Sequence, residues 1–263
     1  MLFLTHSFDR LARRAALRSY EGSAGKVQHS YRRAAVTFAC AAALSVARAC
    51  LVFAAVITLA LAAPLSAQEN KSERPLKIVA FGDSLTAGFG LAANEAFPAK
   101  LAAALKAKGV AVNIANAGVS GDTASGGLDR LDWSIADDTD AVIVELGAND
   151  GLRGIDPKIT RKALDTIVKK LTDRKITVLL CGMLAPPNFG SEYGEKFNSI
   201  FPDIAKTYDT LLYPFFLTGV AIDAKLNQRD GMHPTAAGID IIVTNILPSV
   251  EQMIARAKAQ RGL

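Results

Sequence analysis

A parallel α/β sheet with helices on both faces is the fold class that this sequence predicts, and three observations predict it. Between residues 77 and 216 five apolar runs of five to seven residues recur, the length and character of buried strands. Single helical patterns separate the runs, the alternation that builds parallel sheets through crossover helices. The first three runs end in small polar residues, the chemistry of a turn.

Taken in order, Lys77 to Phe81 is the first strand and Val110 to Asn116 the second. Ala141 to Leu146 is the third, Ile176 to Cys181 the fourth, and Leu211 to Phe216 a weaker fifth. Helical patterns cover Asn94–Lys108, Thr123–Trp133, Pro157–Arg174 and Gly194–Tyr208. A last helix runs from Pro234 to Arg256, with Pro248 as an expected interruption. No internal repeat or linker divides this region, which is long enough to bury an ordinary core as one domain, residues 68–263.

The first 67 residues differ in kind. Arg10, Arg13, Arg14, Arg18, Lys26, Arg32, Arg33 and Arg48 face only Asp9 and Glu21, and residues 49–63 are uncharged and apolar before Pro64-Leu65-Ser66-Ala67. A basic region, an apolar stretch and a small-residue end are the layout of a secretory signal, with cleavage expected after Ala67 and a periplasmic destination. An uncleaved leader holding the chain to the inner membrane is the alternative. That anchor needs about 20 apolar residues, and residues 34–63 supply them only with Arg48 included. The long basic region also admits a translational start downstream of Met1. Arg32-Arg33 is a weak twin-arginine pair, and Cys50 is not read as a lipid-modified cysteine.

Setting the leader aside changes what charge implies. Of thirty basic and twenty-five acidic residues, eight and two lie before residue 68, so the remainder holds 22 against 23, a net of −1. A nucleic-acid partner requires a basic footprint, and the domain has none in bulk. Cys181 and His233 are the only cysteine and histidine beyond the leader. They leave no intrachain disulfide and no multi-histidine zinc site, and neither a metal nor another cofactor is expected.

In a parallel sheet the loops at the carboxyl ends of the strands emerge on one edge, where open α/β sheets place ligands. Four segments thereby converge: Gly82-Asp83-Ser84-Leu85, Ser120-Gly121-Asp122-Thr123, Gly147-Ala148-Asn149-Asp150, and Asp230-Gly231-Met232-His233-Pro234. Acyl transfer fits these residue types. Ser84 is the candidate nucleophile, which needs a neighbouring base to take its proton; His233 is the one imidazole at hand. Asp230 can fold back on the ring to fix its tautomer. The backbone N–H groups of Ser84 and Gly121 and the amide of Asn149 are candidate oxyanion donors. Each also has an ordinary reading. Gly-Asp-Ser, Asn-Asp-Gly and Asp-Gly all form turns, a lone histidine is usually structural, and Pro234-Thr235 can simply start a helix. Cys181 reads as a small buried apolar residue rather than a nucleophile.

These blocks resemble the SGNH (GDSL-type) hydrolases, most closely the thioesterase I / lysophospholipase L1 / arylesterase branch. There the likeness extends through Val144-Glu145-Leu146-Gly147-Ala148-Asn149-Asp150-Gly151-Leu152-Arg153-Gly154 and Tyr213-Pro214-Phe215-Phe216, over essentially the whole domain. The resemblance implies a flavodoxin-like three-layer α/β/α sandwich with five parallel strands in the order 2-1-3-4-5. It also implies a Ser84–His233–Asp230 triad and an oxyanion hole of Ser84, Gly121 and Asn149. One departure is the Pro186-Pro187 pair in the loop after the fourth strand, a segment that in this branch helps cover the acyl groove.

The expected activity is therefore hydrolysis of carboxylic esters and thioesters through an acyl-enzyme on Ser84. Leu152, Leu184, Phe189 and Tyr193 are candidate substrate-binding residues; packing is the competing reading for each. An exported enzyme would not meet acyl-coenzyme A, which favours aryl esters, short or medium acyl esters and lysophospholipids. A carbohydrate acetyl esterase using the same triad is the alternative. A non-catalytic flavodoxin-like module is the third reading, without nucleotide, because Gly88-Phe89-Gly90 lacks the third glycine of a dinucleotide fingerprint.

Overall fold

The computed structural model describes residues 74–262. The leader, its cleavage site and the 67/68 boundary lie outside the described residues. Five parallel strands form one sheet in the order 2-1-3-4-5: β1 (Leu76–Gly82), β2 (Val112–Gly118), β3 (Ala141–Glu145), β4 (Thr177–Cys181) and β5 (Leu211–Tyr213). Every residue of β3 and β4 is buried. Successive side chains point to opposite faces, so both faces are covered.

The helices are α1 (Ser84–Ala87), α2 (Phe97–Ala107), α3 (Ala124–Ser134), α4 (Ala148–Leu152), α5 (Pro157–Asp173), α6 (Ser191–Asn198), α7 (Ile200–Thr207) and α8 (Ala236–Gln260). α2 packs against α8, while α3 packs against α5 and α5 against α7. In α5 the buried residues Thr160, Ala163, Leu164, Ile167, Val168 and Leu171 follow the three- and four-residue spacing of a single helix face.

The strand ends carry the consequence for function. Gly82 is in register with Gly118 on one side and Glu145 on the other, Glu145 with Cys181, and Cys181 with Tyr213. The strands thus stop in one row, and the chain reverses its direction of travel across the sheet between β1 and β3, the switch point where a crevice opens. Ser84 follows β1 at that point.

Several boundaries differ from the sequence-based expectation. β2 starts two residues later because Val110 still closes the end of α2 through its N–H to Leu105 O. β5 ends at Tyr213, since Pro214 has no N–H to continue the ladder. The single helix expected over Gly194–Tyr208 is two, α6 and α7, meeting at Ser199. Pro202, in the first turn of α7, has no N–H for the carbonyl of Asn198, and its ring would clash with that carbonyl in a continuous helix. Pro248 does not interrupt α8. It sits on the exposed side, with exposed Thr244 one turn before it, while Ile242, Val243, Ile246, Val250 and Met253 hold the other side in the core. The turns expected at Ser84 and Asn149 are instead the short helices α1 and α4.

Arg130 fastens the edge of the sheet that carries these helices. This buried side chain donates from Nη2 to Gly82 O at 2.8 Å and from Nη1 to Ala117 O at 2.9 Å, while Nε meets Asp122 Oδ2 at 2.5 Å. Its guanidinium carbon lies 4.2 Å from the centroid of the Phe81 ring. One cation thus joins the ends of β1 and β2 to the loop that carries Gly121. Arg130→Met should destabilise the domain by about 3–5 kcal/mol, because it strands a largely buried Asp122 carboxylate. Arg130→Lys should recover only part, lacking the fork. Urea unfolding of both variants measures this.

Candidate active site

The Gly82-Asp83-Ser84 turn is possible because Gly82 has no side chain. A Cβ there would stand 2.2 Å from Thr86 Oγ1 and 2.5 Å from both the carbonyl and Oε2 of Glu145. With that clearance the chain turns directly from β1 into α1. Asp83 caps the helix, its Oδ1 accepting the Leu85 N–H at 3.0 Å. Ser84, the first helical residue, has its N–H beyond the reach of intrahelical acceptors.

His233 comes from the segment before α8 and Asp230 from three residues earlier. Their side chains meet with Nδ1 2.6 Å from Asp230 Oδ2, and the imidazole presents Nε2 to Ser84 Oγ at 2.9 Å. The other oxygen of Asp230 accepts the N–H groups of Met232 at 2.9 Å and His233 at 3.0 Å. These two backbone donors, followed by the imidazole, hold the Asp230 carboxyl down at about 2. An ionised Asp230 fixes the proton of His233 on Nδ1, which leaves Nε2 free to accept from the serine. The three residues separated in sequence are therefore joined in one relay.

The expected oxyanion donors surround the serine loop. Neither the Ser84 nor the Gly121 N–H finds an acceptor among the described residues. Gly121 holds a φ of +87°, a conformation that side-chain-bearing residues rarely adopt. Asn149 lies in the first turn of α4, and its amide orientation is set from both ends. Its Nδ2 donates to Asp83 Oδ2 at 3.1 Å, and its Oδ1 accepts from Arg153 Nη2 at 3.4 Å. The same Arg153 nitrogen donates to Gly121 O at 3.0 Å, tying the two donor loops together. Asp150 is structural: its carboxylate accepts from the Ala124 N–H at 2.8 Å and the Thr160 hydroxyl at 2.9 Å, joining α4 to α3 and α5.

A buried carboxyl lies beside the Ser84 turn. Glu145, at the end of β3, is fully buried; its Oε2 accepts the Thr86 hydroxyl at 2.7 Å and the Asp83 N–H at 3.4 Å. Its Oε1 has no partner among the described residues. Burial, and then the neighbouring Asp83, push Glu145 well above the usual carboxylate range; burial also pushes Asp83 up. Two buried carboxyls without a cation between them share a single charge. Asp83, with the stronger donors, is the member that carries it. Burial raises the Cys181 thiol as well, so this cysteine is an inert strand residue.

The apolar residues expected to line the groove occupy different settings. Leu152 and Leu184 are half exposed, and Phe189 is partly so. The Phe189 ring packs over Gly154, where a Cβ would come within 2.6 Å of it, so the loops after α4 and β4 touch. Tyr193 is anchored, its hydroxyl donating to Ile155 O at 2.9 Å, with its ring 5.2 Å from Phe189 and 5.8 Å from Phe197. Phe189 and Tyr193 also line a cavity of about 540 Å³ with Asp156, Pro157, Lys158, Arg161, Glu192, Lys196 and Ser199, which none of the relay or oxyanion residues enters.

Arg130, Glu145 and Arg153 bear on the site although no role was read for them in the sequence. A glutamate inside the run Ala-Val-Ile-Val-Glu-Leu was the one available signal, because a charged side chain in a strand buried on both faces requires a reason. Arg153 stood in the block that carries the family likeness, without a role of its own, and nothing in the local sequence marks Arg130.

Residues 80–241 match the GDSL-like Lipase/Acylhydrolase family. The chain is 36% identical over 178 residues to Esterase TesA of Pseudomonas aeruginosa, covering 67% of this chain and 89% of that protein. To the Thioesterase 1/protease 1/lysophospholipase L1 of Escherichia coli K12 it is 38% identical over 158 residues, 60% of this chain and 74% of the relative. Among solved structures, the SGNH-hydrolase family esterase AlinE4 is 46% identical with a TM-score of 0.58, covering 68% of this chain and 96% of its own.

The buried carboxyl pair has a measurable signature. A carboxyl raised in the folded state contributes stability that is complete below its unfolded value and is lost as pH rises toward its folded value. Glu145→Gln removes this proton linkage while keeping the shape. Its stability relative to the original protein should improve from pH 5 to 8 by up to about 1.4 kcal/mol per pH unit, read from urea unfolding at each pH. A difference independent of pH would show Glu145 to be ionised throughout.

Proposed function

The chain belongs to the GDSL-like lipase/acylhydrolase family, and from that premise we propose that it is a serine esterase whose acyl-enzyme forms on Ser84. The observation that carries the reading is the unbroken contact from Ser84 Oγ to His233 Nε2 at 2.9 Å and from Nδ1 to Asp230 Oδ2 at 2.6 Å. Ser84 Oγ attacks the acyl carbonyl as His233 takes its proton, and Asp230 stabilises the resulting imidazolium. The tetrahedral oxyanion accepts hydrogen bonds from the Ser84 and Gly121 N–H groups and the remaining N–H of Asn149. As the carbon–oxygen or carbon–sulfur bond breaks, His233 returns the proton to the departing alcohol or thiol. A water activated by the same imidazole then hydrolyses the acyl-enzyme, releasing acid and free serine.

Aryl esters, short or medium acyl esters and lysophospholipids are the substrate classes proposed. The apolar exposure of Leu152, Leu184 and Phe189 favours acyl chains over a sugar ring. We also infer export to the periplasm, from the basic first 48 residues and the uncharged stretch 49–63 that follows them.

Turnover of p-nitrophenyl esters of increasing acyl length should fall about a millionfold in Ser84→Ala and about 10²–10³-fold in Asn149→Ala, with cooperative unfolding retained. Turnover that survives in Ser84→Ala would remove the nucleophile assignment. Expression of the full chain, followed by fractionation and intact mass, should yield a periplasmic protein beginning at Gln68; a membrane-bound chain that keeps its leader would favour the anchor.

A further inference from the structure

The His233 imidazole has a neighbour that proton transfer does not require. The Phe89 ring lies against it, centroids 4.5 Å apart and planes inclined by 36°, yet about half of Phe89 remains exposed. Met232, the residue before His233, is exposed to a similar extent.

The position of Phe89 is fixed by its backbone. Its N–H donates to Ser84 O at 3.1 Å. Its carbonyl accepts from Gln228 Nε2 at 2.7 Å, and the same nitrogen donates to Pro234 O at 3.0 Å. The Gln228 N–H completes the fastening by donating to His233 O at 2.7 Å. Gln228 thus joins the Phe89 loop to the His233 loop as one unit, and Gly90 provides the clearance: a Cβ there would lie 2.3 Å from Gln228 Oε1.

We propose that Phe89, with Met232 preceding the imidazole that it covers, forms a leaving-group subsite that takes an aromatic or similarly flat apolar alcohol. The inference rests on the esterase reading and adds which half of the ester meets which residues. Around the tetrahedral carbon the oxyanion faces the Ser84, Gly121 and Asn149 donors, and the departing oxygen must come within about 3 Å of His233 Nε2 to take its proton. Nε2 belongs to the ring that Phe89 covers. The first atoms beyond the departing oxygen therefore fall beside Phe89, and a flat group there can pack offset or edge-on against it. The acyl chain must take the remaining direction, away from the imidazole.

The test is a set of butyrate esters with 2-naphthol, phenol and ethanol as leaving groups, assayed on the original protein, Phe89→Leu and Phe89→Ala. Each rate is divided by the original protein's rate on the same ester, which cancels intrinsic reactivity. In Phe89→Ala, kcat/KM should fall about tenfold, equivalent to about 1.4 kcal/mol, on the naphthyl ester, less on the phenyl ester and least on the ethyl ester. Phe89→Leu, which keeps a side chain over the imidazole, should show the same order with smaller losses, and inhibition by free 2-naphthol should weaken in parallel. An equal loss on all three esters would overturn the proposal and reduce Phe89 to packing for His233. On 2-naphthyl acetate, butyrate and octanoate assayed alongside, a Phe89→Ala loss that grows with acyl length would overturn it by assigning Phe89 to the acyl side. No turnover of any ester by the original protein would overturn the esterase reading and the subsite with it.

Discussion

The alignment of strand ends in one row is the constraint on which the rest of the structure depends. Parallel pairing brings Gly118, Gly82, Glu145 and Cys181 level with one another, so the loops that follow leave the sheet on a common edge. Serine, oxyanion donors and imidazole come from segments as much as 149 residues apart. Only a shared edge brings such distant segments within hydrogen-bond range without a long, costly loop closure.

Register alone would leave these loops free to shift by an ångström, enough to spoil catalysis. The positioning is done by polar and charged side chains other than the Ser84–His233–Asp230 relay. Arg130 holds the ends of β1 and β2 and, through Asp122, the Gly121 loop. Asp83 and Arg153 grip opposite ends of the Asn149 amide, and Gln228 binds the loops of Phe89 and His233 to each other. Glu145 fills the space beside the serine turn, its carboxyl raised well above the usual range by burial and by the neighbouring Asp83. The candidate catalytic groups are thus oriented by polar side chains outside the relay.

How much of this the sequence disclosed follows from how local each signal is. Strand number and kind are written in apolar runs, and the order 2-1-3-4-5, expected from family resemblance, is the order found. Ser84, His233 and Asp230 each had an ordinary reading as turn or packing, and only the shared sheet edge of their segments pointed to one site; the structure brings their side chains into contact. Arg130 and Gln228 were not legible, since their partners are the carbonyls of Gly82, Ala117, Phe89 and Pro234, and a carbonyl leaves no mark in side-chain chemistry. Pro248 was misjudged because helical patterning does not reveal which side a proline will occupy; on the exposed side, the carbonyl it leaves unpaired can be hydrated. The break at Ser199 was missed although Pro202 is in plain view, because the apolar spacing continues across it.

The most direct test of the central claim is covalent capture of the nucleophile by a fluorophosphonate, followed by peptide mass mapping and repeated in His233→Ala. The account predicts a single adduct on Ser84, formed at least about 10³-fold faster with the imidazole present than without it, within the range that general-base and nucleophile activation supply together. Labelling of another residue, or labelling of Ser84 at the same rate in His233→Ala, would contradict it.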